Sequence, residues 1–442
     1  MRHVFRGILV AAAALVPVCA IAQEPLTVDA AVQAAIAHNA SLRAARAGLD
    51  EAAARTDEAR SGFFPRLSVS EAWQRGDEPV FAFSSLLSSR QFAASNFAID
   101  ALNHPDPIGF FRTTVGVEQL IYDGGRQRAA AASASFGRDI AAASVDQATA
   151  GIALQTTQAF GRLLVSEAAK RAADGGLESA RQDLIRAENR RDAGRATDAD
   201  VLSLAVHVAD LQQRAIQANS ESAVARAELN RLMGAPVDAP LVAAAPAPAA
   251  PPSSADITAL LAEADAARPE IKRAAAAARV AEKTQTQATA ALIPQIAAQA
   301  AYDLSGTQFS DRAGAWIVGG QIRWTFSTGG AELAGRKAAA AAIARAAAES
   351  DDARAAVHVE VISAAGGIES ARAREAVGRA AADQARESQR IIRDRFEQGL
   401  AGVNDVLRAS TAVLDAEASR TAAIVDLMVA NAMLRRAVGR LP

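Results

Sequence analysis

The sequence contains the same series of landmarks twice, and this duplication limits the folds that the chain can adopt. Four landmarks recur at a constant separation of 205 positions. They are Gly124-Gly125 and Gly329-Gly330, Gly194 and Gly399, Asp200-Val201-Leu202 and Asp405-Val406-Leu407, and Gly234 and Gly439. A constant offset over four landmarks predicts two structural repeats.

Earlier landmarks match at a different separation, 229 positions, which places extra sequence in the first repeat between Val69 and Gly124. These are Leu42, Pro65, Leu67 and Val69, which match Ile271, Pro294, Ile296 and Ala298. A Pro/Ala-rich linker at 235–256 separates the halves. The predicted organisation is a signal peptide at 1–22, a first repeat at 23–234, the linker, and a second repeat at 257–442.

Each repeat is predicted to contain a helix, a strand pair, a very long helix, a glycine turn and a returning helix. The first helices are expected at about 28–60 and 257–291. Residues 125–193 and 330–398 contain no proline, and a continuous helix of that length would reach roughly 100 Å. The returning helices carry alanine-rich apolar positions at a 3.5-residue period, which is typical of coiled coils. Arg420 is the one charged residue in this series.

Most aromatic residues fall in two short windows, at 63–122 and 302–326. There the apolar residues alternate with polar ones, which predicts strand pairs at about 65–123 and 294–328. One apolar face with aromatics near the strand ends is typical of a transmembrane β-barrel. A soluble sheet packed on helices is the alternative. Because four strands are too few to close a barrel, the barrel interpretation predicts a trimer with twelve strands.

The N-terminus and the composition restrict the function. Arg2 and Arg6 precede an apolar run and an A-x-A site ending at Ala22, the pattern of a secretory signal peptide. Lipidation at Cys19 is the alternative, although Val18 before it is bulky. A net charge of −2 argues against a nucleic-acid partner. The five histidines show no metal-ligand spacing, and no nucleotide-binding or nucleophile motif occurs. The sequence therefore predicts no enzyme, cofactor or metal site.

The duplicated order of elements resembles the TolC family of outer membrane efflux and secretion ducts. The stretches that carry the resemblance are Tyr122-Asp123-Gly124-Gly125, Gly194 through Leu202, and Gly399 through Leu407. The resemblance implies an α-helical coiled-coil barrel joined to a twelve-stranded transmembrane β-barrel, both formed by a homotrimer. It also implies a place in the outer membrane, in contact with its lipid and extending into the periplasm. The implied partners are a periplasmic adaptor protein and an inner membrane transporter of the resistance-nodulation-division or ABC type.

The resemblance also suggests site residues. The turns at Gly194 and Gly399 correspond to the periplasmic tip, where an adaptor binds, although both glycines also suit an ordinary helix C-terminus. Asp200 and Asp405 match acidic tip positions and are either gate residues or first-turn carboxylates. Arg408 is a third gate candidate. Arg408 and Ala401 both depart from the family pattern, so the resemblance does not define how the gate closes. Further candidates for the tip are Arg190, Arg191, Arg395 and Phe396.

Two further predictions concern the β-sheet region. Glu118 and Arg323 are candidates for the lumen of the barrel, although solvation of a polar face explains both equally well. Residues 81–112 are expected to form an external loop, whose phenylalanines either fold over the barrel rim or contact lipid and neighbouring copies.

The leading prediction of function is a passive outer membrane channel of a tripartite efflux or type I secretion system. The alternative is an exported coiled-coil scaffold or surface structural protein. The sequence does not separate drug, metal and protein substrates.

Overall fold

The computed structural model describes residues 25–244 and 256–441, which form ten α-helices and a four-stranded sheet. The predicted signal peptide, Cys19 and half of the linker, residues 245–255, lie outside the described residues. The first repeat contains α1 (Val28–His38), α2 (Ala40–Ser61), β1 (Arg66–Gly76), α3 (Pro79–Ser88), α4 (Ile99–Asn103), β2 (Ile108–Tyr122), α5 (Arg126–Asp192) and α6 (Asp198–Met233). The second contains α7 (Ile257–Ala267), α8 (Pro269–Ala290), β3 (Gln295–Gln308), β4 (Asp311–Arg323), α9 (Ala331–Glu397) and α10 (Val403–Ala437).

Each proline-free stretch forms one helix of 67 residues. Helix α5 follows Gly125, which has a φ of 89°. The Asp123 carboxylate accepts hydrogen bonds from the backbone N–H groups of Gly125 and Gln127, at 3.0 and 2.6 Å. These bonds satisfy donors that the first turn of a helix leaves free. The Asp-Gly-Gly stretch therefore turns the chain from β2 of the sheet into the long helix α5.

The first helix of each repeat is broken, whereas the sequence analysis predicted it to be continuous. In the first repeat the break is at Asn39, whose side-chain oxygen accepts a hydrogen bond from the N–H of Ser41 at 2.9 Å. In the second repeat it is at Arg268, which takes an extended conformation because Pro269 follows it. The prediction was wrong because Asn39 satisfies the N-terminus of a new helix in mid-pattern.

The two breaks occupy the same place in their repeats, beside the end of the returning helix. The Asn39 amide donates to the Leu232 carbonyl, and the Arg268 guanidinium donates to the Arg436 carbonyl, each at 2.9 Å. Asn39 and Arg268 are both almost fully buried. The two repeats thus make the same contact, from the helix break to a carbonyl of the returning helix, with different side chains.

The returning helices end at glycines that touch these breaks. Gly234 and Gly439 have φ values of 70° and 84°. A Cβ atom at Gly234 would lie 2.7 Å from the His38 carbonyl oxygen, and one at Gly439 would lie 2.6 Å from the Ala267 Cβ. Both positions therefore require glycine for conformation and for space.

The long helices lie side by side in one layer. Toward the glycine turns, α6 packs on α5, α5 on α10, and α10 on α9. Toward the sheet, α2 packs on α5, α5 on α8, and α8 on α9. The edges of this layer are therefore α6 and α2 on one side and α9 on the other.

Small side chains bring the helices together along the predicted seams. In the first repeat Ala173 and Ala215 are buried against each other. The matching pair in the second repeat is Gly378 and Arg420, and a Cβ on Gly378 would lie 3.4 Å from the Arg420 Cα. The glycine therefore makes room for the charged residue that interrupts the pattern.

The sheet is antiparallel, with the strands in sequence order β1-β2-β3-β4. This confirms four strands per chain and a fold that combines long helices with a sheet. The second strand pair ends at Arg323, so Trp324 and Phe326 lie beyond β4. Trp324 instead donates from its indole nitrogen to the Leu292 carbonyl at 3.2 Å.

Alanine at Gly234 or Gly439 should lower the thermal unfolding midpoint of the detergent-purified protein. A left-handed alanine costs about 1–2 kcal/mol before any clash is counted. Gly137→Ala is the matched control, because this glycine lies inside α5 and an added Cβ would meet no atom within 4 Å, and alanine there favours the helix by about 0.5–1 kcal/mol. Circular dichroism at increasing temperature measures the effect, and equal midpoints for Gly234→Ala and Gly137→Ala would contradict it.

Candidate functional site

The sheet has one apolar and one polar face, and strand register assigns each residue to its face. Cross-strand partners share a face, so the series Val69, Val115, Tyr302 and Trp316 lies on the apolar one. These four side chains are 36% to 77% exposed. A contiguous exposed apolar face of this kind marks contact with lipid or with another protein.

Glu118 and Arg323, the two candidates for the lumen, both lie on the polar face of the sheet. Glu118 is paired by register with Arg66 on β1 and Gln299 on β3, while Arg323 lies at the end of β4 opposite Gln295. Both side chains are exposed. The structure thus puts the two residues on one face but at different heights, so they do not form a pair.

A polar cluster that the sequence analysis missed lies on the apolar face, near the end remote from the long helices. Arg312 of β4 reaches across β3 to Thr113 of β2 and Glu71 of β1, with its Nη2 atom 3.2 Å from the Glu71 Oε1. Thr113 also donates to Glu71. The rings of Phe309 and Phe111 lie 3.8 and 5.8 Å from the Arg312 guanidinium carbon.

The cluster pairs its charges where the surroundings are apolar. The Arg312 side chain is only 10% exposed, and an unpaired charge in such surroundings is costly. The contact joins strands at opposite edges of the sheet, so only the strand register reveals it. Alternation along one strand gave no signal for it.

The segment between β1 and β2, residues 77–107, folds back over the polar face. Ala82 and Ser85 of α3 are buried there, as is Ser89, which follows the helix. Phe110, a polar-face position of β2, meets Phe81 edge to face with ring centroids 6.2 Å apart. The segment predicted as an external loop is therefore an ordered cap, and its phenylalanines pack mainly on one another and on the sheet.

At the end of the long helices remote from the sheet, the turns at Gly194 and Gly399 have the same geometry. Their φ values are 70° and 76°. In each turn the residue after the glycine donates back to a carbonyl five residues earlier: Arg195 to Arg190 at 2.7 Å and Leu400 to Arg395 at 2.8 Å. This is the Schellman ending of a helix. We call these two turns and the adjoining ends of their helices the tip.

Asp200 closes the start of α6. Its Oδ2 atom accepts hydrogen bonds from the Thr197 backbone N–H at 3.0 Å and the Thr197 hydroxyl at 2.8 Å. These bonds favour the charged form and hold the pKa of the Asp200 carboxyl below its usual value. The geometry is that of a capping box.

Asp405 is held less firmly than Asp200. The position that matches Thr197 is Gly402, so the Asp405 carboxylate accepts only from the Gly402 N–H, at 3.1 Å. Asp405 and Arg408 are both exposed. Within residues 256–441 these two side chains form no ion pair with each other, although their spacing permits one.

The four remaining tip candidates fall into two groups. Arg190 of α5 lies over the ring of Phe396 of α9, with its guanidinium carbon 4.8 Å from the ring centroid. Arg191 instead pairs with Asp192 at 2.8 Å, and the Arg395 carbonyl caps its own helix. Arg190 and Phe396 therefore join the two hairpins, whereas Arg191 and Arg395 act within their own helices.

Arg393 adds a second contact between the same helices, which the sequence analysis missed. Its Nη2 atom donates to the Ser179 hydroxyl at 2.5 Å and lies 3.7 Å from the Asp183 carboxylate. Together with the Arg190–Phe396 contact, it links α5 to α9. We call these two contacts the latch.

Potential metal ligands and apolar helices bear on the type of site. Among residues 25–244 and 256–441, no cluster of His, Cys, Asp and Glu has a geometry that could hold a metal ion. In the same ranges, no helix combines the length and apolar character needed to cross a membrane.

The family of the chain follows from its sequence. The model of the outer membrane efflux protein family matches residues 31–235 and 260–440, which is most of the chain. The chain belongs to this family, whose members are channel proteins, and it is an efflux channel of the outer membrane. No curated protein sequence matches the chain.

Solved structures share the fold at low sequence identity. The CmeC outer membrane channel of Campylobacter jejuni aligns with a TM-score of 0.81 and 14% identity, covering 93% of this chain and 85% of that one. VceC of Vibrio cholerae aligns at 0.75 and 19%, covering 93% and 96%. The MtrE channel of Neisseria gonorrhoeae, in its open state, aligns at 0.75 and 18%, covering 93% and 89%. The TolC-like fold is thereby confirmed.

The start of α6 should loosen at low pH. Because the folded-state pKa of Asp200 is depressed, its contribution is present above the unfolded-state pKa and is lost as the pH falls through the folded-state pKa. Hydrogen exchange of residues 197–204, corrected for the intrinsic rate, should show protection falling with acid. In Asp200→Asn this pH dependence should be absent. Asp405→Asn is the matched control, because Asp405 accepts fewer hydrogen bonds at the start of its helix. An unchanged pH dependence in Asp200→Asn would contradict the assignment.

Proposed function

We propose that the chain forms a homotrimeric, passive duct that carries substrates from an inner membrane transporter across the periplasm and outer membrane. The observation that carries the proposal is a four-stranded sheet with two open edges and one exposed apolar face. Strand edges cannot remain unpaired in lipid. Joining β4 of one copy to β1 of the next closes the sheet, and three copies supply twelve strands.

The helical layer has matching edges. Helix α6 carries an exposed apolar stripe of Leu202, Val206, Ile216 and Val224, each at least 65% exposed. At 100° per residue this stripe lies opposite the seam that packs on α5. Helix α9, at the other edge of the layer, carries a similar stripe opposite its seam with α10: Val359, Ile362, Val377 and Ile391.

The two stripes support a second copy as the partner. Isolated apolar side chains are ordinary on a surface, but aligned apolar side chains along both outermost helices indicate a contact surface. Because sheet edges and helix edges lie on the same sides of the protomer, one rotation satisfies both. The polar face of the sheet, with Glu118 and Arg323, then lines the lumen.

The tip is the proposed site of docking and gating. It lies farthest from the sheet, hence deepest in the periplasm, where Gly194 and Gly399 present two similar turns to an adaptor protein. Three copies of Asp405 place a ring of exposed carboxylates at the entrance, which would attract cations. The transporter is of the resistance-nodulation-division or ABC type, and it supplies the energy.

The alternative, an exported coiled-coil scaffold, predicts a different behaviour in fractionation. A scaffold with a soluble sheet should be released from membranes by salt. The duct should remain in the outer membrane fraction and migrate as a trimer that dissociates on heating. Release of the wild-type protein by salt would reject the duct.

Val206→Asp should weaken the trimer. Three carboxylates would be buried between α6 of one copy and α9 of the next without partners, which costs several kcal/mol in total. The temperature at which the trimer dissociates, measured by gel electrophoresis, should fall. Val242→Asp is the matched control, because Val242 is also exposed but lies outside the helix edges. Equal dissociation temperatures for the two variants would reject this interface.

Phe396→Ala should favour the open tip. The Arg190–Phe396 contact is worth about 0.5–1 kcal/mol at an exposed site, so its loss should raise the open population about two- to fivefold for each protomer. Conductance of the purified protein in a planar bilayer measures this. Arg390→Ala is the control, because Arg390 pairs with Glu387 and Asp394 of its own helix. A latch role is wrong if both variants conduct alike.

A further inference from the structure

The two strand pairs are connected very differently. Between β3 and β4 the chain turns through residues 309–310, whereas residues 77–107 separate β1 from β2. We call residues 77–107 the cap. It contains α3, a short 3-10 turn (Ala94–Phe97) and α4. The cap lies at the end of the sheet remote from the long helices, which is the outer end of the duct.

The cap lies on the polar face of the sheet. The buried side of α3 consists of small residues, Ala82 and Ser85, and continues at Ser89 just after the helix; these residues allow close approach to the sheet. Beneath it are Phe110 of β2 and Ser305 of β3, both 3% exposed. Register assigns both to the polar face, since Phe110 pairs with Gln74 and Ser305 pairs with Arg112.

Polar contacts join the cap to the ends of β3 and β4 that flank their turn. Arg90, which has a φ of 57°, donates from its Nη2 atom to the Gly314 carbonyl at 2.9 Å. Gln91 donates to the Asp311 carboxylate at 3.2 Å and accepts from the Thr307 hydroxyl at 2.7 Å. The cap is therefore tied to β3 and β4 as well as to the strands that it connects.

The cap contains a small aromatic core of its own. Phe92 lies between Phe83 and Phe97, with ring centroids 4.7 and 5.0 Å away and edge-to-face geometry. Such pairs add about 0.5–1.5 kcal/mol beyond the area that they bury. The cap is therefore a folded unit on the sheet.

The side of α3 that points away from the sheet carries two exposed apolar residues. Val80 and Leu87 are 74% and 58% exposed, and with Ser84 they lie opposite the buried side of α3 at 100° per residue. Ile99, in α4, is 78% exposed. Apolar residues on this side are unexpected if they face only water.

We propose that three caps meet at the channel axis and form an apolar constriction at the outer mouth, which limits the size of solutes that pass. This inference rests on the proposed function, because the polar face becomes a lumen only in a closed barrel. Val80 and Leu87 then contact the same residues of the other two copies.

The dimensions support contact between the caps. A barrel of twelve strands has a radius of about 12 Å, given the spacing and tilt of barrel strands. A helix with its side chains is about 10–12 Å across. Three helices resting on the inner wall therefore fill most of the cross-section. An apolar ring of this kind also resists wetting, which restricts ions more than its width alone does.

The experiment measures access to the lumen from outside the cell. All variants carry Cys19→Ser, so that Gln299→Cys supplies the single thiol, on the polar face below the cap. Intact cells are treated with a small charged maleimide or with a bulky polyethylene-glycol maleimide. The small reagent should label Gln299→Cys, and the bulky reagent should not.

Opening the cap should admit the bulky reagent. Val80→Ser with Leu87→Ser should raise its labelling rate at Gln299→Cys by about tenfold, and replacing residues 79–104 by a Gly-Ser linker should do the same. Val242→Ser, far from the cap, is the control and should have no effect. Heat-dissociable trimers must be present in every variant.

Two outcomes separate the cap from the barrel. Fast labelling of Gln299→Cys by the bulky reagent with the intact cap would overturn the constriction. Val318→Cys, on the apolar face, should resist both reagents because lipid covers it. If Val318→Cys is labelled as fast as Gln299→Cys, the barrel itself is wrong, and the constriction with it.

Discussion

The hydrogen-bonding needs of the strand edges govern the rest of the architecture. Water satisfies the free N–H and C=O groups of an edge strand, but the hydrocarbon core of a membrane does not. A sheet of four strands cannot close by itself. The need for several protomers to close the sheet follows from the backbone alone. In the proposed trimer, the apolar stripes on α6 and α9 add contacts between protomers along the helices. In the proposed trimer, one contact surface therefore runs from the cap to the tip.

The helices and the sheet use different residue types for their contacts. The helices pack through alanine and glycine, as at Ala173, Ala215 and Gly378, so each contact buries little area and many are needed. The sheet concentrates its aromatic residues on the face and rims that meet lipid, as at Tyr302 and Trp316. The low aromatic content of the whole chain reflects how little of it lies in the membrane.

The sequence predicted the elements that depend on local patterns. Period-two alternation identified four strands, and freedom from proline identified the two long helices. The 3.5-residue period identified seams such as the one at Leu204 and Leu211, which are buried. These features succeed because each is repeated over many residues. The break at Asn39 was missed because one side chain causes it.

The functional contacts were harder to predict because they join distant parts of the chain. The Glu71–Arg312 contact depends on the register of four strands, and the Arg393–Ser179 contact on how α5 meets α9. The cap was identified as extra sequence, but its place on the polar face needed the pairing of Phe110 and Ser305. The turns at Gly194 and Gly399 were found because local conformation alone demands glycine there. The docking proposed for these turns involves a partner, which one chain's sequence does not encode.

The unequal helix starts at the tip have a mechanical meaning. Thr197 donates two hydrogen bonds to the Asp200 carboxylate, one from its backbone N–H and one from its hydroxyl. Gly402 has no side chain and donates only its backbone N–H to Asp405. The two hairpins of each protomer therefore differ in stiffness at otherwise matching points. Under a common load, such as the pull of a docked partner, strain would collect in the softer hairpin. The two arms are otherwise similar, so the arm that carries Gly402 is the one expected to bend first.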